Sequence, residues 1–408
     1  MDTNMIKIIE IIFALLIFGC CIFYILNLVW KFTKNRLKKD EEDSDTYIDS
    51  VYDENLAARF TDDYKFPMSV TNDRELFMYQ LLLFEDGYKT WTKWFEIYKE
   101  IKDNYEGDPN KFLQRYYDDR DKIITRMEIS YAYLKFIDDK EFAKKFTVPQ
   151  NEIPKARWKE LYNGEADGKM FFSVDLNKAN FQALRYYDKN IVLGAETYED
   201  FIGKFSDMEY LRDSKYSRQV IFGKLNAPRQ ITVEKYLLNI VYQNYKKIPL
   251  LNKCYMDEAL AVMKNDEFVI EVDDKFNKET GDIIVKDIYA ETHIDVKYEI
   301  FRLKALKLVS DKHHHSRAMF FVKEIFAPVQ KVKLVAVPNQ YFPIVWKLFH
   351  GKKINIMDRH FVYEKIDCIF NESFHLEDLQ GNIWVPPVQE HKKEEKKKFS
   401  IGPIFPFC

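Results

Sequence analysis

The spacing of hydrophobic and polar positions changes character along the chain, and each change marks a different kind of element. From Ile11 to Trp30 the run IIFALLIFGCCIFYILNLVW is apolar apart from Asn27. About 20 such residues are enough to cross a bilayer as a helix. The run is longer than the apolar region of a cleaved leader, and no A-x-A-like site follows it. Lys31, Lys34, Arg36, Lys38 and Lys39 come after it, whereas only Lys7 precedes it. By the positive-inside rule this predicts a single-pass membrane protein whose C-terminal domain faces the cytosol. The short segment 1–10 precedes the span, and the acidic stretch within 31–55 (DEEDSDTYIDSVYD) reads as a charged linker.

From about Asn72 to Phe146 apolar residues recur at three- and four-residue intervals, with a break at Gly87. That period predicts helices, and Asp108-Pro109 supplies an N-cap and a first-turn proline for one of them. A helical subdomain is therefore expected over 56–153. After Pro154 the pattern shortens. MFFSVDL and DEFVIEVDD read as strands, separated by helices around Tyr198–Tyr210 and Val233–Tyr245. DIIVKDIYAE, KYEIFRLKALKLV, MFFVKEIF and KVKLVAV then suggest an antiparallel sheet, followed by a last unit around Phe342–Phe370. The expected fold class is α+β: an N-terminal transmembrane helix at 11–30, the helical subdomain, and a mixed or antiparallel-sheet domain over 154–385. The tail 386–408 carries a charged run and a short apolar end, and reads as a disordered tether able to dock a protein partner.

Composition narrows the function classes. Lys and Arg number 62 against 65 Asp and Glu, a formal net charge of -3, which disfavours a globally basic nucleic-acid binder but leaves room for a local basic groove. Abundant Phe and Tyr with scarce Gly suit a coding sequence rich in A and T, such as that of a large DNA virus or an AT-rich microbe. Five scattered cysteines without a CxxC pair indicate neither a disulfide framework nor a zinc ribbon. No GxxxxGK[ST], GxGxxG, GxSxG or HExxH pattern occurs, which disfavours P-loop ATPases, Rossmann oxidoreductases, α/β-hydrolases and zincins. His313, His314 and His315 are adjacent, so on a strand they would point to opposite faces; a solvated loop is expected there.

Three segments carry candidate chemistry. The first is Phe171-Phe172-Ser173-Val174-Asp175, the second Ser214 to Gly223 (SKYSRQVIFG), and the third Asn265-Asp266-Glu267-Phe268-Val269-Ile270-Glu271. Nucleotidyl transfer needs divalent cations about 4 Å apart, and carboxylates at neighbouring strand ends can hold them. Lys215 and Arg218 are three residues apart and share a helix face, with Phe222 one turn further on.

In this order the segments resemble the A, B and C motifs of palm-domain polymerases. The third is similar to the family-A DNA polymerase motif, in which His-Asp-Glu precedes alternating apolar residues and Glu. The second is similar to that family's helix, where a basic residue stands four before Phe-Gly. The first shares its FS-x-D strand, and DLNKA is also similar to reverse transcriptases. The resemblance covers about a quarter of the chain. Asn265 stands in the place of the family's His, Arg218 in that of its Lys and Asn226 in that of its Tyr. The separation of Asp175 from Asp266 is nearer to reverse transcriptases. The resemblance implies metal-dependent nucleotidyl transfer on a template or primer, with nucleic acid or nucleotide as partner. Asp175 and Asp266 would be the ligands of Mg²⁺ or Mn²⁺, Glu267 would assist, Lys215 and Arg218 would bind phosphate, and Phe222 would stack on a base. The alternative is a catalytically inert, membrane-anchored scaffold or interaction protein derived from such a palm, possible in a viral setting.

Overall fold

In the computed structural model, residues 52–68, 73–248, 259–312, 316–363 and 366–386 are described. The expected span at 11–30, most of the linker, His313 to His315 and the tail from 387 lie outside them. Among the described residues no helix is long and apolar enough to cross a membrane. The helices of sufficient length, such as Pro109–Glu128 (PNKFLQRYYDDRDKIITRME), carry charges along the face that the core does not take. This corrects the expected fold class and location. The described residues form a mixed α/β chain with an antiparallel sheet, and they contain no helix that bears out the expected single-pass, cytosol-facing placement.

The chain forms two compact units. The first contains the described residues up to Thr147 and then Lys178–Glu234. It is helical throughout, starting at Glu54–Tyr64, where Asp53 accepts the amides of Asn55 and Leu56 at 2.9 and 3.0 Å. This helix opens the expected helical subdomain, and its Leu56, Ala57 and Phe60 are buried on one side. Asp108 caps Pro109–Glu128 by accepting from Asn110 at 2.8 Å, as its position predicts. The core packs Phe60, Phe77 and Trp94 edge to face, with ring centroids 4.9 to 6.3 Å apart. Asp63 is fully buried. Arg59 Nε lies 3.2 Å away, and the hydroxyls of Tyr116 and Tyr210 donate to it at 3.0 and 2.6 Å. A buried carboxylate held in this way costs far less than an unpaired one.

The second unit contains Val148–Asn177 and the chain from Lys235. Its strands are β1 (Met170–Leu176), β2 (Leu260–Met263), β3 (Glu267–Val272), β4 (Val296–Ser310), β5 (Ser316–Ala327) and β6 (Lys331–Val335), in the spatial order β2-β3-β1-β4-β5-β6. All neighbours run antiparallel. β9 (Phe374–Glu377) pairs with the far end of β4, and β7 (His360–Tyr363) with β8 (Ile366–Ile369) forms a separate hairpin. A helix before β2 and another before β4 make the first four strands a split β-α-β arrangement, in which β1 sits between β3 and β4.

The second of those helices is a correction. DIIVKDIYAE, expected to join the sheet, lies in the helix Lys278–Thr292. Its β-branched residues favour strands locally, but Gly281, Ile284 and Ile288 fall on one helical face and are buried together. Asn277 caps it, accepting from Thr280 at 3.0 Å. The helix docks on β4 through Tyr298, whose hydroxyl donates to Asp282 Oδ1 at 2.5 Å. A Cβ built on Gly281 would stand 2.6 Å from the Tyr298 ring, so only glycine permits this approach.

The sheet has an apolar layer on each face. Phe172 meets Tyr245, Phe276 and Tyr298 on the helical side. On the other side Phe171, Phe301, Leu303, Ala305, Phe321 and Ile325 pack under Trp158, Leu161, Tyr162 and Ala166.

Candidate functional site

Strand alternation decides which side chains of β1 meet. Phe171, Ser173 and Asp175 share one face, and cross-strand partners in an antiparallel ladder share it with them. Asp175 therefore stands directly opposite Glu267 on β3 and Lys297 on β4. The turn joining β2 to β3 is closed by the Lys264 amide donating to the Glu267 carbonyl at 2.8 Å. Asp266 lies in that turn, and its carbonyl accepts from the Leu176 amide at 2.8 Å. The first and third motif segments thus meet through main-chain pairing. Asp175, Asp266 and Glu267 lie at adjacent strand ends.

Their electrostatics are mixed. Lys297 Nζ is 3.3 Å from Asp175 Oδ1. Burial pushes the Glu267 carboxyl above its ordinary value, and the charges of Asp175 and Asp266 add to this, against the pull of Lys323 and Lys264. Among the described residues no group of three or more His, Cys, Asp or Glu side chains is disposed to hold a metal ion. The three acids lie side by side without closing into such a cage. Their all-oxygen character still suits Mg²⁺ or Mn²⁺. Mg²⁺ is commonly held by one or two protein carboxylates together with substrate phosphates, and Asp175 and Glu267 are the two acids that face each other across the ladder.

The second motif segment folds as the helix Lys215–Gly223, with Ser214 as N-cap accepting from Ser217 at 2.8 Å. Lys215 is exposed, and Arg218 is half-buried with its guanidinium 5.6 Å from the Tyr198 ring centroid. Both belong to the first unit, whereas the three acids belong to the second. Phe222 requires a correction. It is fully buried, and the rings of Phe181, Tyr198 and Phe201 lie 6.1 to 6.5 Å from its own. Its apolar surface is already used in the core, so it cannot serve as a stacking platform for a base.

Pattern reading missed Lys297, Glu299 and Lys323, the basic and acidic neighbours of the site. Alternation in KYEIFRLK places Lys297 and Glu299 on one face, but only the strand register shows which acids and lysines they face. Asp358 is also buried, accepting the Asn355 amide at 2.7 Å, and serves its own turn. No protein-family profile, curated protein or solved structure matches this chain.

Proposed function

We propose that the second unit is a palm-type nucleotidyl-transfer domain, acting on nucleotide and nucleic acid through Asp175, Asp266 and Glu267. The observation that carries this reading is the ladder position of the acids. Asp175, near the end of β1, faces Glu267 at the start of β3, and the neighbouring Asp266 is bonded through its carbonyl to Leu176. The split β-α-β order supports the reading, because it places the first and third motif segments on adjacent strands although they are far apart in sequence.

Asp175 and Asp266 would hold the Mg²⁺ or Mn²⁺, and Glu267 would assist from the opposite strand. A bound divalent cation supplies charge neutralisation on the phosphates and activation of the attacking hydroxyl. Lys297 must leave Asp175 when a cation binds, and with its side chain 60% exposed it has room to do so. The helix Lys215–Gly223, with Lys215 and Arg218, belongs to the first unit, and this reading rests on the second unit alone.

The test is primer extension by the full-length chain with Mn²⁺ on a primed template. Extension by the unaltered protein, lost at least about 100-fold in a folded Asp175→Ala variant, is the expected result. Equal extension by that variant removes the assigned role. The competing reading is an inert interaction protein, favoured by the Lys297 ion pair that already neutralises Asp175. Absence of extension by the folded, unaltered chain selects it.

A further inference from the structure

On the same face of the sheet, three lysines share one carboxylate. Glu299 on β4 lies 2.5 Å from Lys323 Nζ, 3.1 Å from Lys333 Nζ and 3.8 Å from Lys331 Nζ. The register makes this arrangement systematic. Lys323 on β5 stands opposite Lys333 on β6, and Ile325 stands opposite Lys331, so all three ammonium groups emerge on the face that carries Phe301. Lys323 is only 7% exposed, and its ammonium sits 3.8 Å from the Phe301 ring centroid. Lys331 and Lys333 have side chains 47% and 43% exposed.

Like charges directly opposite across a ladder are destabilising. Glu299 offsets one ammonium and Glu267, within the field of Lys323, offsets part of a second, which leaves net positive charge on a small area. Burial raises the Glu299 carboxyl, but Lys323 and Lys333 outweigh it and hold the group below its ordinary value. Burial, and next the Lys333 ammonium, draw Lys331 down. Lysines on an edge strand deter strand pairing, and β6 ends the strand order. That role accounts for Lys331 and Lys333 but not for Lys323, which lies on an inner strand and is buried.

We propose that Lys331 and Lys333, held by Glu299 and the buried Lys323, form a binding site for phosphate oxyanions. The two exposed lysines are two residues apart on a strand, about 6.7 Å, a spacing suited to a chain of phosphates rather than a single one. Such a chain is either the backbone of a single-stranded nucleic acid or a free polyphosphate. The site needs no divalent cation and goes beyond the nucleotidyl-transfer reading.

The experiment titrates the full-length chain, in EDTA, with a labelled single-stranded oligodeoxynucleotide and separately with inorganic tripolyphosphate, at several salt concentrations. The double variant Lys331→Ala/Lys333→Ala should bind the oligonucleotide about tenfold more weakly, with its log–log salt slope smaller by about 1.4 for two lost contacts. The Lys331→Arg/Lys333→Arg variant should restore both. That outcome makes a nucleic-acid strand the ligand, and weakening of tripolyphosphate alone makes it a free polyphosphate. Unchanged affinity and slope for both probes, in a variant with unaltered circular dichroism, overturns the proposal. Because the titrations exclude divalent cations, a failure of primer extension leaves this result standing, and the reverse also holds.

Discussion

Asp175 can be recognised in the sequence as an acid closing an apolar strand, but the groups that face it cannot. Lys297 and Glu267 reach it through ladder pairing, and no local spacing announces a partner on another strand. Phe222 teaches the opposite lesson: its helical spacing from Arg218 is as expected, yet tertiary packing buries it. His375 is a third case at this scale. Its Nδ1 lies 2.5 Å from Asp311 Oδ1 and its Nε2 2.8 Å from Glu377 Oε1. Burial lowers its pKa, but the two acids outweigh that and leave it raised. The folded value is then above the unfolded one, so the stabilisation is fully present below about pH 6.5 and lost as pH rises through the raised value. Thermal melts should show stability falling over that rise, and His375→Ala should flatten the fall. An unchanged profile in the variant would remove His375 as its source.

At the scale of elements, β1 and β3 to β6 follow from their apolar, β-branched and aromatic runs. The helix Lys278–Thr292 does not, because Ile283, Ile284 and Val285 satisfy a strand pattern as well as a helical face. Its placement rests on Gly281 against Tyr298, and this sets two effects against each other. Alanine favours a helix interior over glycine by about 0.5–1 kcal/mol. The new methyl would meet a ring held by hydrogen bonds to Asp282 and the Lys278 carbonyl, and overpacking costs about 1–3 kcal/mol. Gly281→Ala is therefore expected to lower the urea midpoint. A rise would mean that the ring gives way and propensity decides. As a reference, Asn277→Ala at the helix start should cost about 1 kcal/mol through loss of its cap alone.

At the scale of the whole molecule, the chain leaves the first unit after Thr147, returns at Lys178 and leaves again after Glu234. Inside the first unit, late residues complete early ones. Tyr210 donates to the buried Asp63 at 2.6 Å, and Ser206 Oγ donates to Asp119 at 2.7 Å. A fragment spanning 52–177 lacks both donors, each loss costing about 1–3 kcal/mol, together with the ring packing around Tyr210. It is expected to show no cooperative thermal transition by circular dichroism. A melt matching that of the full chain would show that 178–234 is dispensable to the fold. Local period and capping chemistry determined, from the sequence alone, most of the strands, the helical character of the first unit and the candidate acids, because these depend on residues a few positions apart. Only the tertiary structure decided which strands are neighbours, that Lys297 faces Asp175, that Phe222 is core, and that three lysines share Glu299. Those facts depend on register and burial, which join residues distant in the chain.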